Sequence, residues 1–551
     1  MLVNLSTGLK AFIVLFWVSS VAAQGAPAPR PSIVAEPKIV DNIAFSSPII
    51  NVPALAKPKP NVDAIRNSLM KGRPAGLKAF ATSFEHGVAS GDPTADAVIL
   101  WTKVTTTDPS AVSVTYQVAA TPDFAKVVAS AVVVTDQSVD HTVKVDIKGL
   151  NPSTTYYYRF TTAAGVSSPV GKTHTLPPAN DTSVANYKLA VVSCSSYPHG
   201  FFNSYAGIGR RQDVDIVVHL GDYIYEYANG EYGDGSSIGR VPVPNKEITT
   251  LEDYRTRHAS YKKDSDLQAA HLVHPWITVW DDHEFANDAW EDGAENHDPE
   301  KEGPWTARKA NAIRAYFEYM PIRPAKIDAS GHIYRSFQVG KLFDLIMLDT
   351  RVDGRSETGV IWPWKKNDPK RTILGFDQEA WLNNQLAASK SRGAKWRFLG
   401  NQVLFSPLKV LGITILYDSW DDYPAARNRL LDFMEQNAIK DTVILTGDIH
   451  TAFAINAPGK SANSAMVELV TTSVTSPGAG SIPTGALKLA NKHIKYGNGG
   501  SRGYLLVSIN QEKVTAEFIA VDTIAQRATG EKVDAVIETK AGSGVITSLK
   551  K

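Results

Sequence analysis

Four apolar runs in this chain end on side chains that bind metals or move protons. Leu189-Ala190-Val191-Val192-Ser193 leads into Cys194, and Val217-Val218-His219-Leu220-Gly221 leads into Asp222. Ile277-Thr278-Val279-Trp280 leads into Asp281-Asp282-His283-Glu284, and Val443-Ile444-Leu445-Thr446-Gly447 into Asp448-Ile449-His450. Short apolar runs of this kind read as strands covered on both faces. In open α/β sheets ligands sit beyond the carboxyl ends of the strands, so residues remote in sequence meet there. A single Gly-Asp strand end is an ordinary loop. Four ends carrying acid, imidazole or thiol in one domain predict a metal site.

The surrounding pattern is α/β. Strands are expected at 188–193, 215–220, 276–280, 342–348, 397–400, 442–446 and 466–471, with a closing pair over 502–521. Helical patterns lie at 251–270, 306–319, 378–391 and 424–436. This alternation predicts sheets covered by helices.

Residues 80–178 differ in texture. Val112–Val118, Val143–Ile147 and Tyr156–Phe160 alternate with period two, and Gly91-Asp92-Pro93 and Asn151-Pro152 mark turns. Short strands at this spacing predict an immunoglobulin- or fibronectin-like all-β domain, with Pro177-Pro178 as a hinge. The expected divisions are a signal peptide over 1–23, a Pro/Ala-rich linker over 24–79, the all-β domain over 80–178, the α/β domain over 184–531 and a flexible tail over 532–551. A weak helical pattern spans 62–71 within the linker.

Lys10 precedes the apolar run 11–18, and Val21-Ala22-Ala23 offers small residues for cleavage. The run is too short to span a bilayer. A secreted protein is expected, in the periplasm or cell wall if the source is bacterial; the other reading is an uncleaved anchor. The lone cysteine, Cys194, excludes an internal disulfide and is a core thiol, a reactive thiol or a ligand. A net charge of +1 gives no electrostatic case for nucleic acid. A monomer is expected, and two cations roughly 3.5–4 Å apart would form a clamp for phosphoryl displacement on a phosphate-ester substrate.

Taken together, Gly221-Asp222, Asp282-His283-Glu284 and Gly447-Asp448-Ile449-His450 resemble the motifs of the calcineurin-like metallophosphatase superfamily. Cys194, Asp222-Tyr223-Ile224-Tyr225 and Trp280-Asp281-Asp282-His283-Glu284 resemble in particular the PhoD-type alkaline phosphatases and phosphodiesterases. Leu348-Asp349-Thr350-Arg351, Gly400-Asn401-Gln402-Val403 and the run from Thr471 to Pro477 fit the same pattern. The resemblance implies a β-sandwich-like metallophosphatase core flanked by helices. It implies Fe3+ held by Cys194, Tyr225 and His450, with Asp222 bridging to a second cation, Ca2+, held by Asp282 and Asp448. Asn401 or Gln402 is the available further oxygen ligand, since amide oxygens suit calcium. His283 falls where the superfamily keeps a catalytic imidazole. Arg351 either clamps phosphate or forms an ion pair with a neighbour such as Asp349. Tyr225 either ligates or packs beside Tyr223 and Tyr227, which share its face if the strand continues. Glu226 and Glu284 are outer acceptors or solvated charges, and the Gly-rich segment 227–245 is placed to line the entrance. The implied activity is hydrolysis of phosphate monoesters or diesters by a metal-bound water or hydroxide. The alternative is a cell-surface binding protein whose metals are structural.

Overall fold

Two large sheets share one core in the computed structural model, which describes residues 38–46, 81–107, 110–324, 332–359, 362–410, 412–414, 416–478 and 484–551. The expected signal peptide, most of the linker and the helix over 62–71 lie outside the described residues. The first sheet has ten strands and is centred on Asn186–Val192, Ile216–His219 and Pro275–Thr278, which run parallel. The second has seven, centred on Phe343–Met347, Trp396–Asn401, Thr442–Thr446 and Met466–Val470, also parallel.

Alternation along each strand divides the apolar side chains between two layers. Leu345, Met347, Val443 and Leu445 enter the core shared with Val191, Val217 and Leu506 of the first sheet. Ile346, Leu399 and Ile444 point the other way, onto Leu382 and Leu386 of the helix Gly375–Arg392 and Leu430 and Met434 of the helix Pro424–Gln436. Each buried side chain of this size contributes about 1.5–3 kcal/mol relative to an exposed one. Helices Asn203–Arg210, Leu251–Lys262, Ser265–Val273 and Trp305–Tyr319 cover the other sheet. The single helix expected over 251–270 is broken at Asp264, whose carboxylate accepts from the N–H groups of Asp266 and Leu267 and starts a second helix.

Two further expectations need correction and one is refined. The strands of 80–178 do pack as two layers around a core of their own, which includes Val88, Leu100 and Val145 with Val114, Val133 and Tyr158, but one of those layers continues into a larger sheet. Val88–Gly91, Ala97–Lys103 and Thr142–Lys148 are the end of the ten-stranded sheet, joined where Ser90 and Gly91 pair with Pro275 and Trp276. Only their partner layer, built on Val112–Ala119, Val127–Thr135 and Thr155–Thr162, is a sheet of its own. The linker is not wholly a tether: Ile39–Val40 pairs parallel with Val132 and Val133, and Asn42 bonds to the Val134 and Thr142 carbonyls. The tail is ordered, with Glu531–Lys540 pairing along Lys513–Val521 and Ser548–Lys550 closing the edge. Ala535 and Ile537 are buried there, an alternation that small and charged neighbours hide in the sequence.

Candidate metal centre

The carboxyl ends of the parallel strands meet, and glycine makes the meeting possible at two points. A Cβ on Gly447 would lie 2.8 Å from Ser193 Oγ, and one on Gly221 would lie 2.4 Å from Asp281 Cβ. The chain then turns sharply. Of twelve described non-glycine residues with positive φ, five gather here: Cys194, Asp222, Asp288, Asp448 and His450. Left-handed backbone at so many side-chain-bearing positions is strain that the packed strand ends hold in place, and such strain clusters at functional sites.

Cys194, Asp222 and His450 offer ligand atoms within 4.8 Å of one another. Tyr225 joins them, its hydroxyl donating to Asp222 Oδ2 at 2.8 Å and lying 3.2 Å from His450 Nε2. The Pro477 carbonyl lies 2.9 Å from His450 Nδ1. A carbonyl can only accept, so Nδ1 carries the proton and Nε2 faces the cluster. Asp222 also belongs to a second group with Asp282 and His283. Asp282 extends to two more, with Asp281 and Asp448 and with Asp288 and Asp418. The softer donors thus lie on one side of Asp222 and the carboxylates on the other. Tyr223 does not share the face of Tyr225. The strand ends at His219, the chain bends, and the Tyr223 hydroxyl meets His271 Nε2 at 2.9 Å inside the core.

Glu284 holds the two central loops together. Its carboxylate accepts from the N–H groups of Asp222 at 3.0 Å, Tyr223 at 2.5 Å, Ile224 at 3.3 Å and Asp281 at 2.7 Å. Glu226 orients His283, with Oε2 at 2.7 Å from Nδ1 and Oε1 accepting the Asn287 N–H. The imidazole stacks on the Tyr225 ring at 4.3 Å. Burial opposes charge on His283, yet Glu226, Asp282 and Asp222 outweigh it and hold the imidazole pKa well above its usual value.

Arg351 is at the centre, wholly buried, but its donors are engaged by carboxylates. It pairs with Asp281 and Asp418, with Asp448 at 2.7 Å and with Asp282 at 3.2 Å. The expected partner Asp349 meets only its backbone N–H, at 2.9 Å. Of the two expectations for Arg351, this arrangement shows ion pairing, with partners other than Asp349. Asn401, expected as a further oxygen ligand, is hydrogen-bonded within the protein. Its Oδ1 accepts from the Trp420 indole at 2.9 Å, and its amide group donates to the Val403 carbonyl and Thr446. Gln402 is likewise spent on Thr350 and the Leu348 carbonyl. Asp281, Asp288 and Asp418 are the acids the sequence reading missed. Asp281 lies inside the quoted motif; Asp288 and Asp418 sit in loops with no strand-end signature.

The donors fit cations. Asp222 Oδ1 is buried with no hydrogen-bond partner. Burial pushes Asp448 up to about 8 and Asp288 up to about 9, with Asp282 and Asp418 adding to both, against Arg351. Burial and the Asp222 charge push the Cys194 thiol and the Tyr225 phenol up as well. So many buried acids with so little positive charge call for added cations. Thiol, phenol and imidazole suit iron, and a group of carboxylates suits a hard cation such as calcium.

Known proteins share this sequence pattern and fold. The sequence profile described as PhoD-like phosphatase matches residues 189–518, and that described as PhoD-like phosphatase, N-terminal domain, matches residues 72–177. Alkaline phosphatase D of Bacillus subtilis (strain 168) is 38% identical over 463 residues, covering 79% of this chain and 77% of that protein. A solved structure of PhoD superposes with a TM-score of 0.78 at 33% identity, covering 86% of this chain and 94% of that one. Purple acid phosphatase PPD1 from yellow lupin (Lupinus luteus) shares the fold at 11% identity, with a TM-score of 0.51 over 85% of this chain and 74% of that one. Matched along most of its length in both sequence and fold, the chain belongs to the PhoD-like phosphatase family and is a phosphatase.

Proposed function

We propose that the protein is an exported, metal-dependent hydrolase of phosphate monoesters or diesters. The observation that carries this reading is Asp222, one carboxylate shared between a thiol–phenol–imidazole group and a carboxylate group. Cys194, Tyr225 and His450 would hold a ferric ion, Asp282 and Asp448 a calcium ion, and Asp222 both. When bound, such a pair supplies Lewis acidity toward phosphoryl oxygens and lowers the pKa of coordinated water. The chain supplies the rest. His283, kept protonated and aimed by Glu226, is placed to give a proton to the leaving oxygen. Arg351 keeps the acids apart in charge and fixed in place. Tyr232, from the segment 227–245, stacks on Tyr225 at 5.5 Å, and its hydroxyl lies 3.4 Å from His450 Nδ1. Export is supported by the apolar run 11–18 and its small-residue cleavage site; no helix among the described residues is long and apolar enough to cross a membrane. The alternative of a binding protein with purely structural metals is set aside, because the family is one of phosphatases.

Metal content and ester hydrolysis, measured on the wild type and on Asp222→Asn, test the reading. The wild type is expected to contain iron and a hard divalent cation and to absorb visible light through a tyrosinate–iron(III) bond. The variant is expected to lose metal and at least about a hundredfold in kcat. Undiminished turnover in the variant would remove the mechanism.

A further inference from the structure

Every exposed large aromatic side chain among the described residues falls between positions 362 and 417: Trp362, Trp364, Phe376 and Tyr417. Trp364 is 72% exposed and Trp362 54%, and their rings stack on each other at 4.9 Å. Two aliphatic tips join them. Ile413, 66% exposed, stands at the turn of the hairpin in which Lys409 and Val410 pair with Thr414 and Ile413. Leu489, 84% exposed, stands on the helix Thr484–Ala490.

These pieces are joined. Lys366 Nζ lies 4.4 Å from the centre of the Tyr417 ring, which ties the Trp-bearing segment to the chain leaving the hairpin. Asn491, just past the helix, accepts from the Lys409 N–H at 3.0 Å and donates to its carbonyl at 2.8 Å. Tyr417 precedes Asp418, which pairs with Arg351 and Arg355 at the metal centre. The segment bearing the Trp pair is thus linked through Tyr417 to the carboxylate side of the site, and the hairpin and helix adjoin it. Elsewhere the exposed large apolar residues are seven valines and Leu549, the isolated kind any soluble protein carries.

This region is also basic. From Thr484 to Lys495 the chain carries Lys488, Lys492 and Lys495 and no acid. Lys409 and Lys365 are exposed beside the hairpin and the Trp pair; the acids near Lys365 are Glu357, at 3.9 Å, and exposed Asp368, whose N–H donates to the Lys365 carbonyl. Lysine is depleted at protein–protein interfaces, whose cores need a continuous desolvated patch. Separate apolar tips with lysines between them suit another surface. Tryptophan settles at the headgroup level of a bilayer, lysine stems lie along apolar surface with the ammonium outward, and anionic headgroups attract them.

We propose that this region docks on an anionic phospholipid surface. Trp362, Trp364, Ile413 and Leu489 enter the headgroup region, the lysines meet lipid phosphates, and the mouth of the metal centre is held at the surface. Docking does not depend on which ester is cleaved. The test is co-sedimentation of the full chain with vesicles of phosphatidylcholine alone and of phosphatidylcholine with phosphatidylglycerol. Hydrolysis of a small soluble phosphate ester is followed alongside. The wild type is expected to sediment with the anionic vesicles and much less with the neutral ones. The Trp362→Ser/Trp364→Ser variant is expected to bind at least about tenfold more weakly while cleaving the soluble ester at the wild-type rate. That rate separates a failure of docking from a failure of the catalytic reading. Absence of sedimentation, equal sedimentation with neutral vesicles, or a variant that binds like the wild type overturns the proposal. So does a concentration-dependent dimer that the double variant abolishes, since the region then serves a second copy of the chain.

Discussion

Asp222 joins the two halves of the centre. Its side chain accepts from Tyr225 and lies in both the softer and the harder donor group, while its backbone N–H is held by Glu284. At this scale single side chains differ in what they control. The Glu226 carboxylate is spent on the Asn287 N–H and on the ring of His283, which it fixes at 2.7 Å. Glu226→Gln is therefore expected to lower kcat about 10- to 100-fold while leaving metal content at the wild-type level. Steady-state kinetics with metal analysis of the same preparation checks this, and full activity would mean that the imidazole needs no such partner. Cys194, Asp222, His283, Asp448 and His450 were legible as individual letters because each stands beyond an apolar run. Asn401 was legible as a strand-end amide too, yet Trp420, nineteen positions on, claims its oxygen. Nothing near Asn401 in the chain announces that.

Between elements, the decisive contact joins the loop after Ile216–His219 to the loop after Pro275–Thr278. Glu284 makes it, with four backbone N–H groups converging on one buried carboxylate. Glu284→Ala would leave those donors buried without partners. It is expected to lower the unfolding free energy by about 3–5 kcal/mol and to reduce metal retained per chain. Denaturant unfolding and elemental analysis measure the two effects, and a variant as stable and as metal-rich as the wild type would show that the loops hold themselves. The central parallel strands were predictable to within a residue or two, because apolar runs and β-branched residues mark them, whereas the antiparallel Arg335–Val339, Ala452–Ala457 and Ile494–Asn498 were not read. The helix break at Asp264 was less so, since neither Gly nor Pro interrupts 251–270.

Across the whole molecule the N-terminal strands are welded to the catalytic layer, and Lys144 lies in that joint. It is buried, and its ammonium donates to the Phe317 carbonyl. Burial pulls its pKa down from 10.5 to about 7, with Asp92 and Glu318 opposing. Between those two pH values the unfolded chain holds a proton that the folded chain lacks, so stability from this group rises with pH. The cost of charging Lys144 is fully felt below pH 7, relieved on the way to 10.5, and on the order of 5 kcal/mol. Lys144→Met is expected to be more stable than the wild type near pH 7, with the difference shrinking as the pH approaches 10. Unfolding midpoints across that range check the sign; a difference independent of pH would place the titration elsewhere.

The sequence by itself determined the layer type, the strands and the family of chemistry, because buried strands and their ends are local patterns. Tertiary structure decided what the ends do together. It showed Arg351 enclosed by acids and brought in Asp288 and Asp418 from loops. It also carried the ten-stranded sheet through residues that read as a separate domain and as a loose tail. Hydrogen-bond partners and sheet edges are fixed by which chain segment lies alongside, and that is set by packing between parts remote in sequence.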